Sequence, residues 1–130
     1  RNKGAGTRFL LDLKLKEMAA KMGVKFEELV RKVNGYYYEV KTHTAVAAAV
    51  AQGKADAGVG IRAAAAMYGL DFIPLGWESY DFAIPIDRLE KDSVKAFLNM
   101  LRSDEFRNAL NKLPGYRIPD DIGKIIWKGQ

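Results

Sequence analysis

The chain has 130 residues, 48% of them hydrophobic and 28% charged, a balance typical of one globular domain or one large lobe of a bigger protein. It has no cysteine, which excludes disulfides, thiolate metal sites and a cysteine nucleophile. The net charge of +5 favours anionic ligands, but the basic residues are scattered among acidic ones. We therefore expect no direct contact with nucleic acid. The sequence contains no apolar run of the roughly 20 residues needed to cross a membrane, so we expect no contact with a membrane either.

In chain order, the first element is a glycine-containing turn, Gly4-Ala5-Gly6-Thr7-Arg8, followed by a helix over residues 7–22. Thr7 is expected to cap this helix and Gly23 to end it. Other helices are predicted where apolar residues recur at helical spacing or where alanine dominates. They cover residues 26–33, 45–51, 61–68, 93–101 and 104–113, with Ser103 as the cap of the last.

Short apolar or β-prone segments lie between and after these helices and are predicted as strands. They cover residues 36–40, 55–60, 72–75, 80–85 and 124–127. Strands that alternate with helices through the first 85 residues predict an α/β fold whose sheet contains parallel strands. A further strand is expected to precede Asn2, either outside this chain or with residues 1–3 as its stub.

The opening turn has the features of a small-anion site. Gly6 lets the backbone approach a ligand, and the first helical turn has amide groups without an intrahelical acceptor. Thr7 offers a hydroxyl, and Arg8 offers a guanidinium for a bidentate contact with an oxyanion. The alternative is a flexible N-terminus that merely starts a helix, with Arg8 paired to a surface carboxylate.

Two further segments are candidates for the same site. Thr42, His43 and Thr44 precede a helix, although plain N-capping explains these threonines equally well. Gly60 ends a predicted strand and Arg62 opens the next helix, at the edge where open α/β sheets bind ligands, although packing alone accounts for the glycine. His43 is the only histidine, and a lone histidine cannot make a metal site. Because the chain also lacks cysteine and shows no nucleophile–base pair at a recognisable spacing, we expect no catalytic residues, and we expect no cofactor.

Several motifs occur in an order that resembles a known family, over about residues 1 to 116. The chain resembles the periplasmic-binding-protein-like domain that is fused to helix-turn-helix modules or follows molybdopterin biosynthesis enzymes. It is also similar to the solute-binding proteins of molybdate and tungstate transporters. The motifs are Gly4-Ala5-Gly6-Thr7-Arg8, Gly35-Tyr36, Thr42-His43-Thr44-Ala45-Val46-Ala47, Gly53-Lys54-Ala55-Asp56-Ala57-Gly58-Val59-Gly60, Leu70-Asp71-Phe72-Ile73-Pro74-Leu75, Glu78-Ser79-Tyr80-Asp81-Phe82 and Phe106 followed by Leu113-Pro114-Gly115-Tyr116.

The resemblance implies a type II solute-binding fold, in which two α/β lobes hold the ligand between them. Residues 1–130 would form a single domain truncated at its N-terminal lobe. Residues 1–86 would be the second lobe, and residues 87–130 the helices and tail that return to the first. The ligand would lie at the opening turn and also meet the start of the helix after Thr42.

The resemblance also implies a function. We expect a non-catalytic sensor or regulatory domain for a small oxyanion, with molybdate or tungstate suggested, and a DNA-binding or enzyme domain in the parent polypeptide. The alternative is the C-terminal domain of a molybdopterin biosynthesis enzyme whose catalytic domain lies elsewhere. A homodimer would cover the face left by the missing lobe. We expect a cytoplasmic protein, with a trimmed extracytoplasmic binding protein left open.

Overall fold

The computed structural model describes residues 1–129, and its regular elements are helices. In chain order they are α1 (Gly6–Met22), α2 (Phe26–Lys32), α3 (His43–Ala51), α4 (Arg62–Met67), a 3₁₀ turn (Ile86–Arg88), α5 (Asp92–Leu101) and α6 (Asp104–Asn111). The six helices predicted from apolar spacing and alanine content are confirmed. Their bounds differ from the predicted ones by one or two residues, because helix ends fray.

The chain divides into two compact units, Arg1–Phe72 and the residues from Ile73 onward. In the first unit, α1 packs on α2 and α3 packs on α4. Gly23 ends α1 in the left-handed conformation, with a φ of 66°, and its amide donates to Ala20 O while the Val24 amide donates to Ala19 O. This is the expected glycine C-cap, and it turns the chain back toward α2.

The core of the first unit is built from small side chains. Its buried apolar residues are Ala19, Val30, Val46, Ala47, Ala49 and Ala64. Alanine lets helix backbones approach closely, and it has the highest helix propensity of all residues. The alanine-rich sequences of α3 and α4 therefore specify both the helices and their contact with each other.

The second unit contains the 3₁₀ turn, α5 and α6. Ser103 caps α6 as predicted, because its Oγ accepts from the Phe106 amide at 3.1 Å. Leu101 is buried, and the rings of Phe82 and Phe97 meet edge to face at 5.0 Å between centroids. The predicted apolar face of α6, marked by Phe106 and Leu110, is half-buried.

The predicted strands are wrong: none of residues 1–129 lies in a β-strand. Gly35, with a φ of 82°, bends the chain at the first of these segments, and the Tyr38 amide donates back to Gly35 O, so Tyr36 and Tyr37 lie in a turn. The other segments are irregular, and residues 71–84 make no backbone hydrogen bond to any described residue. A strand exists only when a neighbouring strand pairs with it, and these segments have no such neighbour within residues 1–129.

The α/β fold class is therefore also wrong. The type II architecture that the resemblance implied, with parallel strands between helices, is replaced in the described residues by helices joined by irregular segments. The stub expected at residues 1–3 is likewise not a strand, although the Asn2 amide donates to Val40 O at 3.1 Å. None of the helices described over residues 1–129 combines the length and apolar character needed to cross a membrane.

Candidate functional site

The turn that opens α1 leaves the first amides of the helix without a side-chain acceptor. Ala5 is the N-cap, and it has no polar side chain to accept from them. The prediction that Thr7 caps the helix is wrong, because the helix begins one residue earlier, at Gly6. Gly4 makes this early start possible with a φ of 86°, in the left-handed region that favours glycine. The amides of the first helical turn are consequently available to a ligand.

Arg8 lies in the first turn of α1 and is only 3% exposed, which is rare for an arginine. Its Nε donates to Asp12 Oδ1 at 3.2 Å, one turn further along the helix. Its Nη1 donates to Glu39 Oε1 at 3.2 Å and to the carbonyl of Arg1 at 3.4 Å. Two carboxylates therefore fix the guanidinium in place, as the alternative interpretation of Arg8 anticipated.

Tyr36 completes this cluster. Its hydroxyl donates to Asp12 Oδ1 at 2.8 Å, and the Arg8 guanidinium lies over its ring at 4.2 Å from the centroid. Burial opposes the charge of Arg8, but the contacts with Tyr36 and Asp12 outweigh it and raise the pKa of the guanidinium. Burial also raises the pKa of Tyr36, and the hydrogen bond to Asp12 adds to the rise.

One nitrogen of this guanidinium has no partner. Arg8 Nη2 is buried and makes no hydrogen bond to any described residue, and the same is true of Arg1 Nε. Leaving a buried donor without an acceptor costs about 1–3 kcal/mol, and more for a charged group. A negatively charged ligand that accepts from Arg8 Nη2 would remove this cost.

Arg8 lines a half-open pocket of about 420 Å³ at the start of α1. The pocket combines cationic, carboxylate, backbone and apolar surface. It is lined by Lys3, Gly4, Ala5, Gly6, Arg8, Phe9 and Asp12. Of the residues predicted at the opening turn, the structure thus brings Gly6 and Arg8 to one pocket, whereas Thr7 is half-buried and outside the lining.

The predicted residues around α3 do not line this pocket. Thr42 is the N-cap of α3, as predicted, and its Oγ1 accepts from the Ala45 amide at 3.0 Å and lies 3.1 Å from Thr44 Oγ1. His43 is the first residue of α3 and lies beside Gly60. Arg62 is exposed at the start of α4. A binding role for these five residues stays a prediction.

Sequence reasoning missed three residues of the cluster: Asp12, Tyr36 and Glu39. Asp12 was detectable, because an aspartate four residues after an arginine in a helix is a standard ion pair. Glu39 and Tyr36 reach Arg8 only because the chain returns past the opening turn, where the Lys3 amide donates to Glu39 Oε2 at 3.4 Å. No local sequence pattern predicts that the chain returns to this turn.

Within residues 1–129, no group of three or more histidine, aspartate or glutamate side chains is placed to hold a metal ion. The two carboxylates at Arg8 act as its ion-pair partners. The chemistry available at the pocket is therefore charge pairing and hydrogen bonding by arginine, lysine, carboxylate and backbone groups.

Comparison with known proteins gives a family match and two relatives. The sequence model of one protein family, the PBP superfamily domain, matches residues 1–102. The Bacillus subtilis (strain 168) protein described as uncharacterized protein YvgK is 39% identical over 126 residues, which are 97% of this chain and 37% of that protein. A Clostridium pasteurianum protein, described as an uncharacterized protein in the ferredoxin 2Fe-2S gene 5′ region, is 34% identical over 95 residues.

The second relative is matched over 72% of this chain and 83% of its own length, whereas the chain spans little more than a third of YvgK. No solved structure gives a significant match.

Proposed function

Because the chain belongs to the family of the PBP superfamily domain, we propose that it binds a small anion at the turn that opens α1. One observation carries the proposal: Arg8 lines the pocket, and its buried, cationic Nη2 has no hydrogen-bond partner among the described residues. Asp12 and Glu39 hold the guanidinium in place before any ligand arrives, so binding would not need to order it. We further propose that binding serves sensing or regulation.

The helix start and the charge distribution support this proposal. The first-turn amides of α1 carry the positive end of the helix dipole and have no capping side chain. The unit Arg1–Phe72 has 12 basic and 7 acidic residues, whereas the rest of the chain has 9 of each. The whole net charge of the protein thus belongs to the unit with the pocket, and it would attract anions over a distance.

Molybdate and tungstate are the ligands that the family resemblance suggests, and they are the first anions to test. A DNA-binding or enzyme domain in the parent polypeptide would use the binding event. We propose no catalytic role, because the pocket lining contains no hydroxyl, thiol or imidazole that could act as nucleophile or paired base. Turnover of a phosphoester or amide by the pure chain, abolished by one substitution in the pocket, would contradict this part.

The test is calorimetric titration of the 130-residue chain with molybdate, tungstate, sulfate and phosphate. Arg8→Lys keeps a positive charge but loses the planar fork, and we expect it to weaken binding by about 1.5–3 kcal/mol. Thr7→Val should cost about 0.5–1.5 kcal/mol if the hydroxyl takes part. Lys14→Ala removes an exposed cation from the same helix, outside the pocket, and serves as the matched control.

The outcomes separate cleanly. Binding that Arg8→Lys weakens and Lys14→Ala spares supports the site at the opening turn. Binding that neither Arg8→Lys nor Thr7→Val affects would place the ligand elsewhere and overturn the proposal. The proposal is also overturned if the wild-type chain, with its folded state verified by circular dichroism, binds no anion, inorganic or organic.

A further inference from the structure

In the second unit, the chain that follows α6 turns back and is attached to the end of α5. Gly115, with a φ of 84°, turns the chain away from α6. Further along, the Gly123 carbonyl accepts from Nε of Arg102, the C-cap of α5, at 2.9 Å. Residues 114–123, which we call the strap, are therefore tied to α6 at one end and to α5 at the other.

The attachment at Gly123 is tight. A Cβ added there would lie 2.7 Å from Arg102 Cγ and 3.4 Å from Cβ of the buried Leu101. The φ of Gly123 is 74°, in the left-handed region that favours glycine, and the Lys124 amide donates to Asp121 O at 2.9 Å. This end of the strap is therefore held by packing, by a turn and by a hydrogen bond from a charged donor.

The middle of the strap has a weaker attachment. Arg117 Cζ lies over the ring of Trp77, 3.8 Å from its centroid, and both residues are exposed. Among the described residues, Arg117 forms no ion pair and residues 114–118 make no backbone hydrogen bond. An exposed cation–π contact favours the contacting arrangement only about two- to fivefold. We therefore expect the strap to leave Trp77 far more often than it leaves Arg102.

Trp77 lies within the irregular segment 73–86, which has few attachments of its own. The backbone of residues 73–84 makes no hydrogen bond to any described residue. Two ring contacts join the segment to other parts of the second unit: Phe82 meets Phe97 of α5, and Trp77 meets Arg117 of the strap. Because Phe82 lies near the end of the segment, Arg117 is the contact that holds its middle.

We propose that the strap controls access to segment 73–86. While Arg117 covers Trp77, the segment is tied at its middle and one face of the indole is shielded. When Arg117 leaves the ring, the attachment at Gly123 remains, and the unpaired backbone around Trp77 becomes free to pair with another chain. All of these residues belong to the second unit, so the strap does not depend on the proposed anion site.

The first test removes the cation of Arg117. In the full chain with Trp127→Phe, Trp77 is the only indole, and its fluorescence reports its accessibility to acrylamide. Chymotrypsin, which cleaves after aromatic residues, reports the accessibility of the segment in dilute solution. Arg117→Met should speed cleavage there about three- to sixfold, because the open fraction rises to one from about a third to a sixth. Quenching of Trp77 should rise with it, and Arg117→Lys should restore part of the protection.

A matched control removes a cation outside the strap. Lys112 is exposed and is the C-cap of α6. Lys112→Met should leave both the cleavage rate and the quenching unchanged, with the helices of every variant verified by circular dichroism. Unchanged cleavage and quenching in Arg117→Met, or equal changes in Lys112→Met, would overturn the proposal.

A second test asks whether the two attachments act as one device. Arg102→Met keeps the aliphatic stem and removes the donor to Gly123, so the strap should loosen and Trp77 should become more accessible. In the background of Arg117→Met, the same change should have no further effect on Trp77, because the contact that it supports is already absent. If Arg102→Met leaves Trp77 unchanged while Arg117 is present, the stacking is a local contact and the strap has no controlling role.

Discussion

Arg8 pairs with two carboxylates and also lines the pocket. Its Nε and Nη1 are used by Asp12, Glu39 and the Arg1 carbonyl, while Nη2 is left over among the described residues. Burying an arginine requires partners for its charge, because desolvation of an unpaired ion is very costly. The two carboxylates therefore explain how Arg8 can be buried. The remaining nitrogen, Nη2, is the donor with which a bound anion would pair in the proposed function.

Replacing Arg8 should therefore destabilise the chain as well as weaken binding. Arg8→Ala leaves Asp12 and Glu39 without the cation that they share, and we expect a loss of about 1–3 kcal/mol in the free energy of unfolding. Lys14→Ala, which breaks a half-exposed ion pair with Glu17, should cost less than about 0.5 kcal/mol. Urea unfolding measures both, and equal small losses would contradict a structural role for Arg8.

Tyr36 predicts a dependence of stability on alkaline pH. Because its pKa is raised in the folded state, Tyr36 contributes stability that is fully present below its unfolded pKa of about 10. That contribution is lost as the pH rises through the higher folded pKa. Tyr36→Phe should remove this part of the alkaline slope of the free energy of unfolding.

The matched control is Tyr38→Phe, at a residue that is half exposed and makes no ring contact among those found in the described chain. It should retain the alkaline slope. The measurement is urea unfolding at a series of pH values from about 8 to 11, bracketing the reference pKa. A slope that is the same in Tyr36→Phe and in the wild type would show that Tyr36 is not the titrating group.

Helices α1 and α3 begin in different ways, and the difference bears on binding. Thr42 satisfies an amide at the start of α3 with its own hydroxyl, whereas Ala5 leaves the first turn of α1 open. The open start also has Arg8 beside it, a buried cation with one nitrogen that no described residue uses. At the scale of elements, the start of α1 is therefore the better candidate for the proposed anion site.

The contact between α3 and the segment after it predicts a steric effect at Gly58. A Cβ added to Gly58 would overlap Val46 Cγ1, a buried group of α3, whereas a Cβ added to Gly60 would lie 3.8 Å from its nearest neighbour, His43 Nδ1. We expect Gly58→Ala to cost about 1–3 kcal/mol in the free energy of unfolding through overpacking. Gly60→Ala should be nearly neutral or slightly stabilising.

A second substitution tests the cause. Val46→Ala alone should destabilise the chain by removing buried methyl groups, but in the background of Gly58→Ala it should cost less, because it also relieves the overlap. A double-mutant cycle from urea unfolding measures this coupling. Strictly additive losses would mean that Gly58 is required for a reason other than its contact with Val46.

How far the sequence predicts the structure depends on whether an element is local. The helices follow from apolar spacing, alanine content and caps such as Thr42 and Ser103, all within a few residues of each other, and they are confirmed. A strand needs a partner segment, and the segment with Tyr36 and Tyr37 has none among the described residues. The β-propensity of these residues alone therefore gave a wrong prediction. The same holds for the candidate site. The opening turn is local and was predicted, whereas the Arg8–Glu39 pair joins residues 31 positions apart and was not.

At the scale of the whole molecule, the irregular segment 73–86 has an exposed apolar surface. Its exposed large side chains are those of Ile73, Leu75, Trp77, Tyr80, Phe82 and Ile86. Its backbone amides and carbonyls make no hydrogen bonds to the backbone of other described residues before Pro85. Exposed apolar surface next to backbone groups that no other backbone group pairs is a combination that favours pairing with another chain.

The partner that best fits this segment is the tail of a second copy. Segment 73–86 contains Glu78 and Asp81 and no basic residue, whereas the tail over residues 124–128 contains Lys124 and Lys128 and no acidic residue. The tail is also apolar and exposed, with Trp127 at 80%. Opposite charges flanking two apolar segments would direct one onto the other.

We therefore expect the chain to form dimers through segment 73–86 of one copy and the tail of the other. Sedimentation at increasing protein concentration should show a shift from monomer to dimer, and the shift should weaken at high salt because the flanking charges are screened. Tyr80→Ser and Trp127→Ser should each weaken the dimer, whereas Met67→Ser, at an equally exposed residue of the first unit, should leave it unchanged. In the monomeric variants the remaining apolar surface should bind a hydrophobic dye. A wild-type chain that sediments as a monomer at every concentration and binds no dye would show that segment 73–86 is covered within its own chain, and the charge pairing between copies would then have no role.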